Sequence, residues 1–299
     1  MSSVPAYPDF APVALDMGGE LDHFCKNLAD GVCEFVFANL FLCRNKYEYR
    51  ISRLERGYVL SGVEHEGGAS GFLGSFFSVL GDLPPAAVIG ELLGSHRFWK
   101  SLTEAQHESV APFLAERGFR VELNRDNFDY LYLRTDLAEL RGKKFHKKKN
   151  LVNAFNAAYS AEVRPITGDN TGDVMAVLNT WERLHAGDGV TDYEPCSQAV
   201  AHMHELGLDG ILVYVDGQPA AFSLGEPMAG GTMYCVHFEK GIDSYKGIYQ
   251  FVNQQEALAL GESITYINRE QDVGDEGLRQ AKMTYRPVKF VQKYAVFPQ

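Results

Sequence analysis

Twice along its 299 residues the chain runs through the same order of hydrophobic periods. Each half has a helical stretch, three β-like runs, a long helix and then further strands. In the first half a helix is expected over residues 21–29, followed by "KYEYRISRL", "YVLSGVE" and "GFLGSFFSVLG", with a turn at Arg56–Gly57. "GDLPPAAVIGELL" opens a helix that Asp82 is placed to cap, with Pro84 and Pro85 tolerated in its first turn. A further helix over 103–117 ends at Gly118, where a left-handed residue is expected, and "FRVELN" and "FDYLYLR" read as closing strands. The second half offers helices over 172–184 and 196–205, then the hairpin "GILVYVDGQPAAFSLGE". Its Asp216–Gly217 pair is the strongest short-range turn signal in the chain. "TMYCVHFEK" is the third strand, and "YKGIYQFVNQQEALAL" a helix with Ile248, Phe251, Val252 and Leu258 near one face. "SITYINR", a short charged helix and "VKFVQKYAVF" complete the order.

This repetition predicts a mixed α+β protein of two domains, each a mostly antiparallel sheet flanked by helices, and the length favours two cores over one. The expected boundaries are residues 1–138 and 160–299, joined by a basic helix over 139–159. The alternatives are a single large α+β domain or an unrelated mixed fold. A chain that is 45% hydrophobic and 22% charged is an ordinary globular one. Its longest apolar stretch, "VCEFVFANLFLC", is broken by Glu34 and Asn39 and falls short of the roughly 18 residues of a membrane span. No basic region precedes an apolar one at the N-terminus, so neither a signal peptide nor an integral membrane segment is expected. Five cysteines without a CxxC pair fit the reduced cytoplasm and predict neither a disulfide framework nor a metal site.

A net charge of −11 repels nucleic acid and anionic membranes on average. "LRGKKFHKKKN" reverses that sign locally with Arg141, Lys143, Lys144, Lys147, Lys148 and Lys149. On a helix Lys144, Lys148 and Leu151 fall on one strip, and Lys143, Lys147 and Asn150 on the next. Several cations presented together are what a phosphate backbone requires, since each neutralised phosphate releases a counterion. The competing reading is a solvated helix start.

The stretches "FDYLYLRTDLAELRGKKFHKKKNLVNAF", "VHFEKGIDSYKGIYQFVNQ" and "YINREQDVGDEGLRQAKMTYRP" carry a resemblance. They resemble a bacterial family grouped with the C-terminal catalytic region of phosphatidylglycerol lysyltransferases. The order of elements likewise resembles two copies of the acyl-CoA N-acyltransferase (GNAT) fold. The resemblance implies kinship with enzymes that move an amino acid from aminoacyl-tRNA to a lipid or peptidoglycan amine. In the lipid-modifying members the strand matching "VHFEK" carries an Asp and, three residues on, an Arg; here those places hold His237 and Lys240. Phosphatidylglycerol is therefore not the expected acceptor.

In that strand Cys235, His237 and Glu239 are expected on one face, so that His237 and Glu239 can form an acid–base pair beside Lys240. The plainer reading is a hydrogen-bonded histidine at a sheet edge, with Glu239 paired to Lys240. "SYKGIYQ" lies where acetyltransferases of the GNAT fold present Gly-x-Gly to coenzyme A. It keeps only Gly247 and has Tyr249 in place of a second glycine, so coenzyme A is not an expected cofactor. In the third stretch Arg279, Lys282 and Arg286 are spaced to share a helical face, with Asp275 and Glu276 at its N-terminal end. With Asn268, Arg269 and Tyr285 they are expected to line one anion-binding cleft shared with the "HFEK" strand end, Glu270 and Asp272 orienting the cations. The alternative is an Asp–Arg-stapled surface helix.

These residues point to an acyl or aminoacyl transferase with a charged tRNA or another phosphate-bearing acyl carrier as donor. With no nucleophilic triad in view, direct transfer to an amine or hydroxyl is the simpler route. A non-catalytic anion-binding module and a coenzyme A-dependent N-acetyltransferase are the alternatives.

Overall fold

A computed structural model describes residues 3–66, 72–185, 187 and 191–298. The chain divides into two compact units: residues 1–130 with 270–282 and 290–299, and residues 131–269 with 283–289.

The first unit opens with β1 (Ala11–Pro12), α1 (Gly18–Lys26) and α2 (Phe37–Leu42), followed by β2 (Arg50–Leu54), β3 (Gly57–Glu64) and β4 (Gly74–Gly81). The run expected to form this third strand begins at Gly71, which lies outside the described residues. Helix α3 (Ala86–Ser95), β5 (Phe98–Thr103), α4 (Glu104–Glu116), β6 (Arg120–Leu123) and β7 (Asp129–Leu133) follow. Thr103 and Gln106 close a reciprocal capping box at the start of α4, satisfying two backbone donors that the helix cannot. Asp82 does not cap α3: Pro85 holds that place, and Asp82 pairs with Arg56 at 2.9 Å.

The second unit continues with α5 (Arg134–Glu139), α6 (His146–Ala158), β8 (Ala161–Pro165), α7 (Thr171–His185), α8 (Tyr193–Ala201), β9 (Asp209–Val215), β10 (Gln218–Met228), β11 (Met233–Gly241), α9 (Ile248–Ala259) and β12 (Tyr266–Asn268). The chain ends through α10 (Glu276–Met283), β13 (Lys289–Val291) and β14 (Lys293–Phe297). Asp216 and Gly217 both take positive φ (50° and 77°) in the hairpin between β9 and β10, as the sequence leads one to expect.

The first sheet has the strand order β1-β2-β3-β4-β5-β14-β6, and the second β13-β7-β12-β11-β10-β9-β8. Pairing is mostly antiparallel. Strands β4 and β5, and likewise β11 and β12, pair in parallel, each pair joined through a helix on the sheet face. A three-strand meander, a crossover helix and a parallel strand thus occur in both units, and the expected α+β class holds.

The boundaries differ from the expected ones. The first unit's main segment ends at Tyr130, and β7 pairs with β12 in the second sheet, Tyr266 facing Leu133. The basic stretch is not a linker helix. Leu140 and Gly142 take positive φ (47° and 82°) and break it, and α6 then buries Val152 and Phe155 in the core of the second unit with Val213, Ile248 and Phe251. The closing run "VKFVQKYAVF" is two strands: β13 lies in the second sheet, whereas β14 sits between β5 and β6 in the first. Periodicity fixes that a run is a strand but not which sheet pairs with it. Leu258 is exposed rather than on the buried face of α9.

Because β14 supplies two ladders of the first sheet and alone joins β6 to β5, deleting residues 292–299 should abolish cooperative unfolding of that unit. Loss of the corresponding transition in calorimetry would show it; two intact transitions would contradict the placement.

Candidate functional site

In the second unit β10 and β11 shift register between Leu224 and Gly225, where Phe238 faces Leu224 and Val236 faces Gly225. His237 is the extra residue of a bulge, and a bulge re-aims the side chains around it. It therefore leaves the face expected for it beside Glu239. His237 Nε2 lies 3.1 Å from Glu226 Oε1 and its Nδ1 3.8 Å from Cys235 Sγ, with the imidazole and Glu226 carboxylate both buried. Glu239 instead meets α9, where Asn253 Nδ2 donates to it at 3.3 Å. The expected His237–Glu239 pair is not formed; Glu226, which the sequence reading did not single out, is the histidine's partner. Lys240 also pairs elsewhere, donating to both Asp192 oxygens at 2.7 and 2.8 Å with its ammonium 3.8 Å over the Trp181 ring.

Strand β12 ends at Asn268, opposite Cys235, while β11 continues to Gly241. Past this point the two parallel strands no longer share hydrogen bonds. Arg269, the residue after β12, spans the opening and donates through Nη2 to Glu239 Oε1 at 2.8 Å. Burial works against the guanidinium charge, but Glu239 holds the Arg269 pKa above its ordinary value. Arg269 also lies 5.2 Å from the ring centroid of Tyr285, a buried residue. Over the same ring, at 3.9 Å, sits the ammonium of Lys148 from the first turn of α6. Burial, and then the charge of Arg269, lower the Lys148 pKa. Glu239, Arg269, Tyr285 and Lys148 thus form one cluster: two cations, one carboxylate and one ring.

The other basic residues of the stretch are exposed. Lys144 pairs with Asp136 at 2.6 Å, and Asn150 Nδ2 lies 3.2 Å from His146 Nε2. Lys143, Lys147 and Lys149 face solvent around the start of α6, whose first turn contains no acid. Cations are disfavoured at that end of a helix dipole, and anions are favoured there.

The expected single cation cleft is not formed within either unit. The signature stretch changes unit after Arg269 and again after Lys282. Asn268 is buried in β12. Arg286 follows the end of α10, exposed and at positive φ (58°), and so shares no face with Arg279. In the first unit Arg279 donates to Asp272 at 2.9 and 2.7 Å and to Asp126 at 2.7 Å. Asp272 is fully buried and also accepts from Arg125 at 3.1 Å and from Tyr130. Burial works against this carboxylate, but the Arg279 and Tyr130 hydrogen bonds hold its pKa well below the usual range. Lys282 donates to the Gln271 carbonyl, and Glu270 accepts from Asn39 at 3.4 Å. The stapled-helix reading is the one that describes Asp272 and Arg279.

The first unit also brings buried Cys33 and Asp129 and partly buried Glu34 together with ligand atoms within 4.8 Å of one another, an arrangement able to hold a metal ion. The cation among them is Lys293, whose ammonium donates to Asp129 at 2.6 Å and to Glu34. Gly247, at φ 93°, is required by packing: a Cβ there would lie 2.8 Å from the Leu151 carbonyl of α6. Tyr249 hydrogen-bonds to Trp181 Nε1 at 3.1 Å and to the Gly241 carbonyl at 3.0 Å.

The family model for the C-terminal region of phosphatidylglycerol lysyltransferase matches residues 26–297. The chain belongs to that family. Membership supports a transferase-type function. A conserved protein of unknown function from Bacteroides thetaiotaomicron is 28% identical, with a TM-score of 0.87 over 97% of this chain and 99% of that one. L-PGS from Bacillus licheniformis is 16% identical, with a TM-score of 0.61 over 99% of this chain and 94% of that one. FemX is 9% identical, with a TM-score of 0.62 over 97% of each. The fold is a tandem GNAT fold, as the resemblance implied. No curated protein matches the sequence. Among the described residues no helix is long and apolar enough to cross a membrane.

Two stability tests follow from the buried carboxylates. Arg279→Ala removes the bidentate partner of buried Asp272 and should destabilise the protein by about 1–3 kcal/mol near neutral pH. The Asp272 pKa is depressed in the folded state, so its contribution is present above the unfolded value and lost as pH falls through the acid range. The deficit of the variant should therefore shrink in acid, as read by urea titrations across pH. An equal deficit at all pH values would exclude the ionic explanation. Glu256 in α9 is the opposite case: burial and then Asp209 push its pKa up to about 8 from 4.5. The folded state holds the proton more tightly, so stability falls as pH rises from about 4.5 to about 8. Glu256→Gln should flatten that fall, and an unchanged slope would refute it.

Proposed function

We propose that the second unit transfers an acyl or aminoacyl group from a phosphate-bearing donor, with charged tRNA as the leading candidate, directly to an amine or hydroxyl acceptor. The observation that carries this reading is the cationic first turn of α6. Lys147 and Lys149 are exposed there and Lys143 just before it, without a first-turn acid, and Lys148 reaches from it to the Tyr285 ring beside the Glu239–Arg269 pair. Such a surface is unfavourable to itself and complementary to a phosphate chain, whose charge both the lysines and the helix N-terminus attract. At the opening between β11 and β12, Glu239 is the candidate to take the proton of the attacking amine or hydroxyl. Arg269 is the candidate to stabilise negative charge developing on the ester carbonyl. His237 has no part in this reading as a base, because it is buried and held by Glu226. Coenzyme A remains a disfavoured donor: Gly247 serves the packing of α9 on α6, and Tyr249 stands where backbone would have to approach a pyrophosphate.

The test is binding of charged and uncharged tRNA over a salt series, followed by release of labelled amino acid to added amines. Reversing Lys143, Lys147 and Lys149 to Glu should weaken tRNA binding strongly and reduce the slope of log K against log salt by about 2–3. Arg269→Ala should leave tRNA binding largely intact and remove transfer. An unchanged salt slope would retire the nucleic-acid donor. Stoichiometric micromolar binding of coenzyme A in calorimetry would replace it with the acetyltransferase reading.

A further inference from the structure

The ion pairing within the Glu239–Arg269–Tyr285–Lys148 cluster is unequal. Glu239 is in ion-pair contact with Arg269, whereas the contact found for the Lys148 ammonium is the Tyr285 ring. Three features disfavour a proton on Lys148. Its side chain is half-buried, a guanidinium shares its aromatic ring, and it lies in the first turn of α6, where the helix dipole opposes positive charge. The charged and titratable groups facing it are Glu239 from β11, Arg269 from the end of β12 and Tyr285 from the segment before β13. Of these Glu239 and the face of the Tyr285 ring favour the ammonium, but Arg269 already engages that carboxylate and lies by the same ring. Lys143, Lys147 and Lys149 lie on the same basic surface but project into water, which favours their charged form.

We propose that Lys148 is a nucleophilic lysine, a site at which small activated acyl groups such as acyl phosphates form an amide with the protein. The neutral Nζ attacks the carbonyl carbon and the N–C bond forms. The C–O bond to phosphate then breaks, phosphate leaves with the bonding pair, and the amine gives its proton to solvent. Acylation removes one of the two cations of the cluster, so it would weaken whatever anion the cluster holds. The inference rests on the same side chains as the transferase reading but not on the identity of its donor.

The experiment is competitive labelling of the full chain with trace acetyl phosphate, resolved by peptide mass spectrometry from pH 6 to 10. Lys148 should be acetylated severalfold faster than Lys143, Lys147 and Lys149 at pH 7–8, with its rate levelling off at lower pH than theirs. Arg269→Gln removes the neighbouring like charge and frees Glu239, and should return Lys148 to the rate of the exposed lysines. Equal rates in the wild-type chain would overturn the inference, and so would an enhanced rate that survives Arg269→Gln. An inert Lys148 in a chain that still binds tRNA would sink this inference alone. A reactive Lys148 in a chain that ignores tRNA would sink only the donor assignment.

Discussion

The first unit is closed by a lysine that reaches no water. Lys293 on β14 is buried among Asp129, Glu34 and Cys33. Burial works against its charge, yet Asp129, Cys33 and Glu34 together hold its pKa above the usual lysine range. An ammonium without these carboxylates would be untenable there, and the carboxylates without it equally so. Burial raises the Asp129 pKa, while Lys293 holds that of Glu34 low, so the two acids are not equivalent. The partners come from residues 33–34, 129 and 293, which ties the last strand to the beginning of the chain. A set of residues that looks like metal ligands is thereby a structural ion cluster.

The second unit depends on a different irregularity. Were β10 and β11 paired in uniform register, Cys235, His237 and Glu239 would share a face, and the acid–base pair of the sequence reading would stand. The one-residue shift at Leu224–Gly225 separates His237 from Glu239, while His237 stays beside Cys235. It gives His237 to Glu226 and leaves Glu239 for Asn253 and Arg269. The same strand then outruns β12, so an arginine rather than another strand completes the site. A short parallel pairing and one bulge thus decide that Glu239, and not Glu226, is the carboxylate beside Arg269.

Much of the fold was legible because its signals are local: the Asp216–Gly217 hairpin, the Gly118 helix stop at φ 73°, and the two meanders each followed by a helix. What was not legible is non-local. Nothing in "FDYLYLR" distinguishes pairing with β6 from pairing with β12, and nothing in "VKFVQKYAVF" announces that its halves join different sheets. Short strands such as β5 and β8 were missed because their alternation is brief, although Trp99 and Leu102 are fully buried. At the candidate site the sequence grouped Arg269 and Tyr285 with the strand end that carries Glu239, as the structure does, but it placed Lys148 apart from them and Arg279, Lys282 and Arg286 with them. Helical spacing put Arg286 on a face with Arg279, whereas α10 stops at Met283 and Arg286 takes a left-handed conformation. Glu226 gave no signal, since an acid inside an apolar strand is conspicuous only once its histidine is seen across the ladder.

The placement of α6 joins these observations. Its apolar end is fixed: Phe155 packs on Phe251 with ring centroids 4.5 Å apart, and Gly247 lets α9 start against the Leu151 carbonyl. Its other end therefore cannot drift, and the lysines at its start are held rather than free to find carboxylates of their own. A chain of net charge −11 has many such carboxylates to offer, yet Lys143, Lys147 and Lys149 project into water, while Lys144 pairs with Asp136 and Arg141 with Glu139. Cations concentrated at the end of a helix that repels them raise the energy of the empty surface, and an arriving phosphate group relieves both the mutual repulsion and the dipole. That difference between empty and occupied states is what the proposed donor surface would use.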